Sequence, residues 1–234
     1  AFLAGLGGLL LLTRPRWTLL AFLPAALIPL LALLLTNYLA MGQLLPAYTE
    51  FGGPWYNYPG SHWAKLGTPM AKGIDFAQES KDVYAFHLLF GHHGWFSLTP
   101  IWFLAAVGLF ALAWRAGPEF RAIFSRNPGA SQGLSPSMLA ALVAVVSVVV
   151  FLFYIGKSNN YGGFTSGPRW FFWLTPLWVL ALLPVADRLS PSRFGRWIAL
   201  LLLGISVISA HYPAINPWRP PWILRLLESE NLLR

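Results

Sequence analysis

Long uncharged apolar segments alternate with shorter polar ones along this chain. Trp17–Leu35 runs for 19 residues without a charge, Trp95–Trp114 for 20, Pro136–Gly156 for 21 and Trp170–Ala186 for 17. A hydrocarbon core roughly 30 Å thick is crossed by about 20 apolar helical residues, so each segment reads as a transmembrane helix. Pro24 and Pro29 lie inside the first of them and predict a kink. The β-branched run Val143–Val150 would suit a strand in water. In lipid every backbone group must be satisfied within its own segment, and the span must be helical. Two shorter segments complete the set. Ala1–Leu12 reads as the end of a helix that starts before the sequence given. Trp197–Ala210 reaches span length only with His211, Tyr212 and Pro213.

The pattern predicts an all-α membrane protein with about six transmembrane helices, the first truncated, and one long external loop. The polytopic region covers 1–212, with spans near 1–12, 17–35, 95–114, 136–156, 170–186 and 197–212. An external loop fills 36–94, and 213–234 forms an external tail. Basic residues set the orientation. Arg14 and Arg16 lie in the first short loop, Arg115, Arg121 and Arg126 in the next on that side, and Arg188, Arg193 and Arg196 in the third. Cytoplasmic loops carry the Lys/Arg excess, so these three loops are expected inside and both termini outside.

Composition agrees. The chain is 56% hydrophobic and 10% charged, with a mean hydropathy of +0.57, whereas soluble domains carry about 25% charged residues. The net charge of +8 invites a nucleic-acid reading. The basic residues nevertheless form no stripe along a helix, and topology accounts for them, so membrane lipid rather than nucleic acid is the expected partner. There is no cysteine, hence no disulfide, thiolate nucleophile or Cys-based metal site. Phosphate-loop, dinucleotide and HExxH motifs are absent from the text.

All five histidines, His62, His87, His92, His93 and His211, fall on the expected outer side. Two stretches there stand out. Gly91-His92-His93-Gly94 leads into Trp95-Phe96-Ser97-Leu98-Thr99-Pro100. Imidazoles between glycines suit phosphate binding, proton transfer or metal ligation, or simply a wet interfacial turn. Adjacent histidines point in different directions, and the residues alone assign no metal. Asn159-Asn160-Tyr161-Gly162-Gly163 runs on to Gly167-Pro168-Arg169-Trp170. Arg169 at a helix start suits a bidentate phosphate contact or snorkelling to headgroups. The aromatic loop Phe51–Gly60 suits sugar rings or the interface, and Glu50 and Asp75 are loop carboxylates whose spacing fixes no acid–base pair.

Three pieces taken together resemble a known group. They are the Leu11–Pro15 turn with Asn37 and Leu45-Pro46-Ala47-Tyr48 after the following helix, the Gly91–Pro100 stretch, and Tyr161-Gly162-Gly163 with Gly167-Pro168-Arg169-Trp170. The combination resembles the C-terminal half of bacterial C-type (GT-C) membrane glycosyltransferases, the group of protein mannosyltransferases and aminoarabinose transferases. The resemblance implies sugar transfer from a polyprenyl-phosphate donor to an acceptor on the outer face of the bacterial inner membrane. It implies that Arg169 contacts the lipid phosphate, that His92 and His93 line the outer cavity, and that Asn160, Tyr161 and Gly163 contact sugar or phosphate. No cofactor is certain, and a divalent metal at the leaving phosphate is allowed. The group's catalytic carboxylate sits in a first external loop, which would lie upstream of Ala1, so this chain is expected to be a fragment with half a site. The competing readings are a non-catalytic membrane scaffold and a lipid or solute transporter. The long apolar spans hold no mid-membrane charge, which counts against an ion-coupled carrier.

Overall fold

The computed structural model describes residues 1–46, 58–60, 79–125, 133–158, 160–162 and 165–230. They are overwhelmingly helical, with no strand among them. Among the described residues five helices are long and apolar enough to cross a membrane: Pro15–Met41, Ile101–Ile123, Pro136–Lys157, Arg169–Leu189 and Arg193–His211. The chain is an all-α integral membrane protein, and a shorter apolar helix, Phe2–Thr13, covers the first apolar segment. Glu50, Asp75, His62 and Gly163 lie outside the described residues, as do 47–57 and 61–78 of the expected loop 36–94.

The chain forms two compact units. The smaller covers Leu3–Ile74 with Gln132–Leu134 and contains α1 (Phe2–Thr13) from Leu3 onward and α2 (Pro15–Met41). They meet at Arg14, followed by Pro15 in the first turn of α2, where its missing N–H costs nothing. Pro24 has no N–H for the Leu20 carbonyl, and its ring crowds that oxygen. The helix answers with a π turn over Thr18–Phe22. Helix α2 runs six residues past the expected end at Leu35. The Thr36 hydroxyl donates back to the Ala32 carbonyl at 2.9 Å and the Asn37 amide to the Leu44 carbonyl at 3.2 Å, so neither polar side chain breaks the helix. Gly42, at φ 69°, terminates it in the left-handed conformation that glycine adopts freely.

The larger unit holds α3 (Lys81–Leu89), α4 (Trp95–Leu98), α5 (Ile101–Trp114), α6 (Ala116–Phe124), α7 (Pro136–Lys157), a 3₁₀ turn (Arg169–Leu174) leading into α8 (Thr175–Leu189), α9 (Arg193–His211) and α10 (Trp222–Ser229). Three boundaries differ from the sequence reading. The span expected over 95–114 starts at Ile101, because Pro100 disfavours helical geometry at Thr99, which sits at φ −131° and ψ 69°. It also continues through Arg115 into α6, so the expected loop 115–135 is helical as far as Phe124. The sixth span, short by sequence, is a 19-residue helix starting at Arg193, where the Ser192 hydroxyl caps the Gly195 N–H at 3.1 Å. In the fifth, Pro176 cannot donate to the Phe172 carbonyl. The Thr175 N–H takes that oxygen, and the 3₁₀ turn ends there.

Helix α5 is the hub, packed against α7 and α8. Its core is aromatic: Trp95 stacks on Trp102 with ring centroids 5.4 Å apart, and Trp178 and Phe171 each meet Trp95 edge-on at 5.8 Å. Outward-facing apolar side chains such as Val149, Leu180 and Leu201 are exposed, as a lipid-facing surface requires. Gly108 sets the closest crossing, since a Cβ there would lie 2.1 Å from the Ala181 backbone oxygen. Gly108→Ala should therefore push α5 off α8 and cost about 1–3 kcal/mol, read as a lowered Tm of the detergent-solubilised protein. Gly204→Ala, whose added methyl meets nothing within 4 Å, should leave Tm unchanged or slightly raised.

Candidate functional site

The start of α5, the end of α7 and the start of the Arg169–Leu189 span share one end of the larger unit. Helix α3 is joined to this end. Lys81 Nζ donates to the Ser158 carbonyl at 2.7 Å, just past α7, and the Tyr84 hydroxyl donates to the Asn160 carbonyl at 2.8 Å. Tyr84 and Leu88 point inward and are fully buried. They are four residues apart, and His87 stands three after Tyr84, so the three share one helical face.

The chain turns back sharply after α3. A Cβ on Gly91 would lie 2.7 Å from the His87 Cα, so only glycine lets the turn close over that residue. The Ser97 hydroxyl donates to the Gly91 carbonyl at 2.5 Å and holds the turn from the far side. The result is a column of rings. His87 stacks on His92 at 3.9 Å, and His92 meets His93 edge-on at 4.7 Å. His93 stacks on Tyr161 at 4.4 Å, and Tyr161 contacts Tyr84 at 4.9 Å. The Nδ1 atoms of His92 and His93 are 2.5 Å apart, so one imidazole donates and the other accepts. The Tyr161 hydroxyl donates to Glu79 Oε2. Glu79, His87 and His92 offer ligand atoms that all lie within 4.8 Å of one another.

The sequence-derived candidates come together unequally. His92 and His93 are buried, at 5% and 8% exposure, and sit in the column with Tyr161. Asn160 supports the loop: its carbonyl accepts from Tyr84 and from Trp170 Nε1 (3.3 Å), and its Oδ1 accepts from the Gly162 N–H at 2.6 Å. Gly162, at φ 107°, lies against Arg169, and a Cβ there would meet the Arg169 side chain at 2.8 Å. Arg169 itself is exposed, with its guanidinium 5.1 Å from the Trp170 ring. The expectation that adjacent histidines point apart does not hold for His92 and His93: their ring planes are 78° apart, yet their Nδ1 atoms meet at 2.5 Å. His92 also stacks on His87, five residues earlier.

Sequence reasoning missed Glu79 and His87 as members of the cluster. A signal existed for His87 alone: it lies on the Tyr84–Leu88 face, and Gly91 follows it one helical turn later.

Burial governs the protonation of this cluster. It holds His93 down to about 3 and, with the neighbouring His87, His92 down to about 4, against an ordinary 6.5. Burial raises the Tyr84 hydroxyl to about 12. Burial and the Glu79 carboxylate together push Tyr161 further up. Both tyrosines are therefore neutral donors, and both histidines are uncharged at neutral pH. Below about 6.5 the unfolded chain takes up protons that native His92 and His93 refuse. Their contribution is complete above that pH and is lost as pH falls toward 4 and 3. The Tm of the solubilised protein should drop over this window, and His93→Gln should flatten the drop. An equally steep drop in the variant would contradict the assignment.

Comparison with family models, curated proteins and solved structures gives no match.

Proposed function

We propose that this chain belongs to a membrane glycosyltransferase that takes a sugar from a polyprenyl-phosphate donor and passes it to an acceptor at the outer face of the bacterial inner membrane. One observation carries the reading. His92, His93, Tyr161 and Arg169, drawn from separate motifs, gather at one end of the larger unit, while Arg115, Arg188, Arg193 and Arg196 stand at the other end of its spans. The positive-inside rule makes the arginine-rich end cytoplasmic and the histidine-bearing end external.

In the reaction the bond between the anomeric carbon and the phosphate oxygen breaks, and its electron pair leaves with the polyprenyl phosphate. The acceptor oxygen bonds to the anomeric carbon and gives its proton to a base. Arg169 is exposed at the start of a span, where headgroup phosphates lie, and its fork suits a phosphate that gains charge as it departs. The buried Tyr161 and His93 hold the Gly162 turn that supports it. No residue of this chain is assigned as the base.

Arg169→Ala in the full-length protein should lower transfer from radiolabelled polyprenyl-phosphate sugars at least about tenfold, the cost of losing one charge-assisted contact to the transition state. Membrane insertion and protein level should not change, and Arg169→Lys should retain part of the activity. Undiminished transfer by the alanine variant would remove Arg169 from the site.

A further inference from the structure

We propose that Glu79, His87 and His92 form a binding site for one divalent transition-metal ion of the zinc class. This inference goes beyond the transferase reading and does not depend on it. The three side chains come from two adjoining pieces of chain, α3 with its leading residues and the turn after it. Their ligand atoms lie within 4.8 Å of one another. Ligands at about 2.0–2.2 Å from a shared ion stand roughly 3–4 Å apart, so the site closes when the His87 and His92 rings, stacked at 3.9 Å and 20° apart, fan open toward one ion. Two imidazoles and one carboxylate are a donor set that suits zinc and its neighbours and leaves positions open for a further ligand.

Three further observations distinguish this cluster from a chance meeting of polar groups. His87 Nδ1 is shut off from solvent and has no hydrogen-bond partner among the described residues. Buried polar atoms are almost always satisfied, so the hydrogen-bonding capacity of this ring is not used up within the described protein. His92 has one nitrogen committed, since its Nδ1 pairs with His93 Nδ1 at 2.5 Å. With the proton on the His92 side, Nε2 of His92 keeps its lone pair for a metal. Glu79 has one oxygen committed as well, because Oε2 accepts from Tyr161, and Oε1 remains. Metal-bound imidazoles and carboxylates characteristically carry such outer partners, which fix their orientation. Here His93 and Tyr161 fill that part, and they stack on each other at 4.4 Å.

The test is metal binding by the purified full chain in detergent, independent of any transfer assay. The protein is stripped with a chelator and titrated with Zn2+ against a chromogenic competitor, then with Co2+ to read ligand-field bands. The wild type should bind about one equivalent. His87→Gln and Glu79→Gln should each weaken binding at least about tenfold, and Tyr161→Phe about tenfold through the outer shell. His211→Gln, at the exposed end of α9, should match the wild type. Each variant is checked by gel filtration and Tm. Should the substituted chains fail to fold, the wild-type titration decides alone. Wild-type protein that holds no more than a trace of zinc, or a folded His87→Gln and Glu79→Gln pair that binds as the wild type does, would overturn the proposal.

Discussion

The hydrocarbon core holds no water, so each polar group that enters it must be met by the protein. This constraint shapes the larger unit more than any sequence motif. The break at Thr99–Pro100 frees the Ile101 N–H, and Ser206 on α9 accepts it at 3.1 Å. Trp178 lies in the aromatic core with its indole N–H on Ser147 at 3.0 Å. Trp222 of α10 finds Ser209 at 2.8 Å. At the opposite end of α7, Glu119 accepts from both Ser135 and Ser137. Small hydroxyls thus join helices whose apolar faces gain little from meeting one another, since lipid is as apolar as they are.

The histidine cluster follows the same rule at higher density. In a column of five rings, from His87 to Tyr84, all but the half-buried His87 are buried, and most of the polar atoms are still satisfied. Glycines make it possible. Gly91 lets the chain close over His87, and Gly162 lets the Tyr161 loop pass beneath Arg169. A larger residue at either point would displace backbone or side chain and separate groups that come from α3, the turn after it and the segment after α7.

The spans were legible because length and apolarity alone decide them. Their ends were less so. Thr36 and Asn37 look like the start of a loop, yet the Thr36 hydroxyl bonds back to Ala32, the Asn37 amide reaches forward to the Leu44 carbonyl, and the helix runs to Met41 with Gly42 as its cap. Arg115 looks like a loop residue, yet α6 continues behind it. For the cluster, glycine brackets marked His92, His93 and Tyr161 as unusual. Glu79 sits among alternating charges, and His87 lies in a short helix of ordinary composition. Nothing along the sequence ties them to Tyr161, 82 positions beyond Glu79. That link exists only once α3 is fastened to the end of α7 through Lys81 and Tyr84.

In the proposed orientation the histidine cluster and the arginine-rich end face opposite sides of the membrane, with the cluster outside. The chain has no cysteine, so single-cysteine labelling reads this without background. Ser80→Cys, at the exposed start of α3, should react with a membrane-impermeant maleimide in intact cells with a permeable outer layer. Ser190→Cys, in the exposed turn between α8 and α9, should react only after the inner membrane is opened. The reverse pattern, or equal labelling of both in intact cells, would contradict the account.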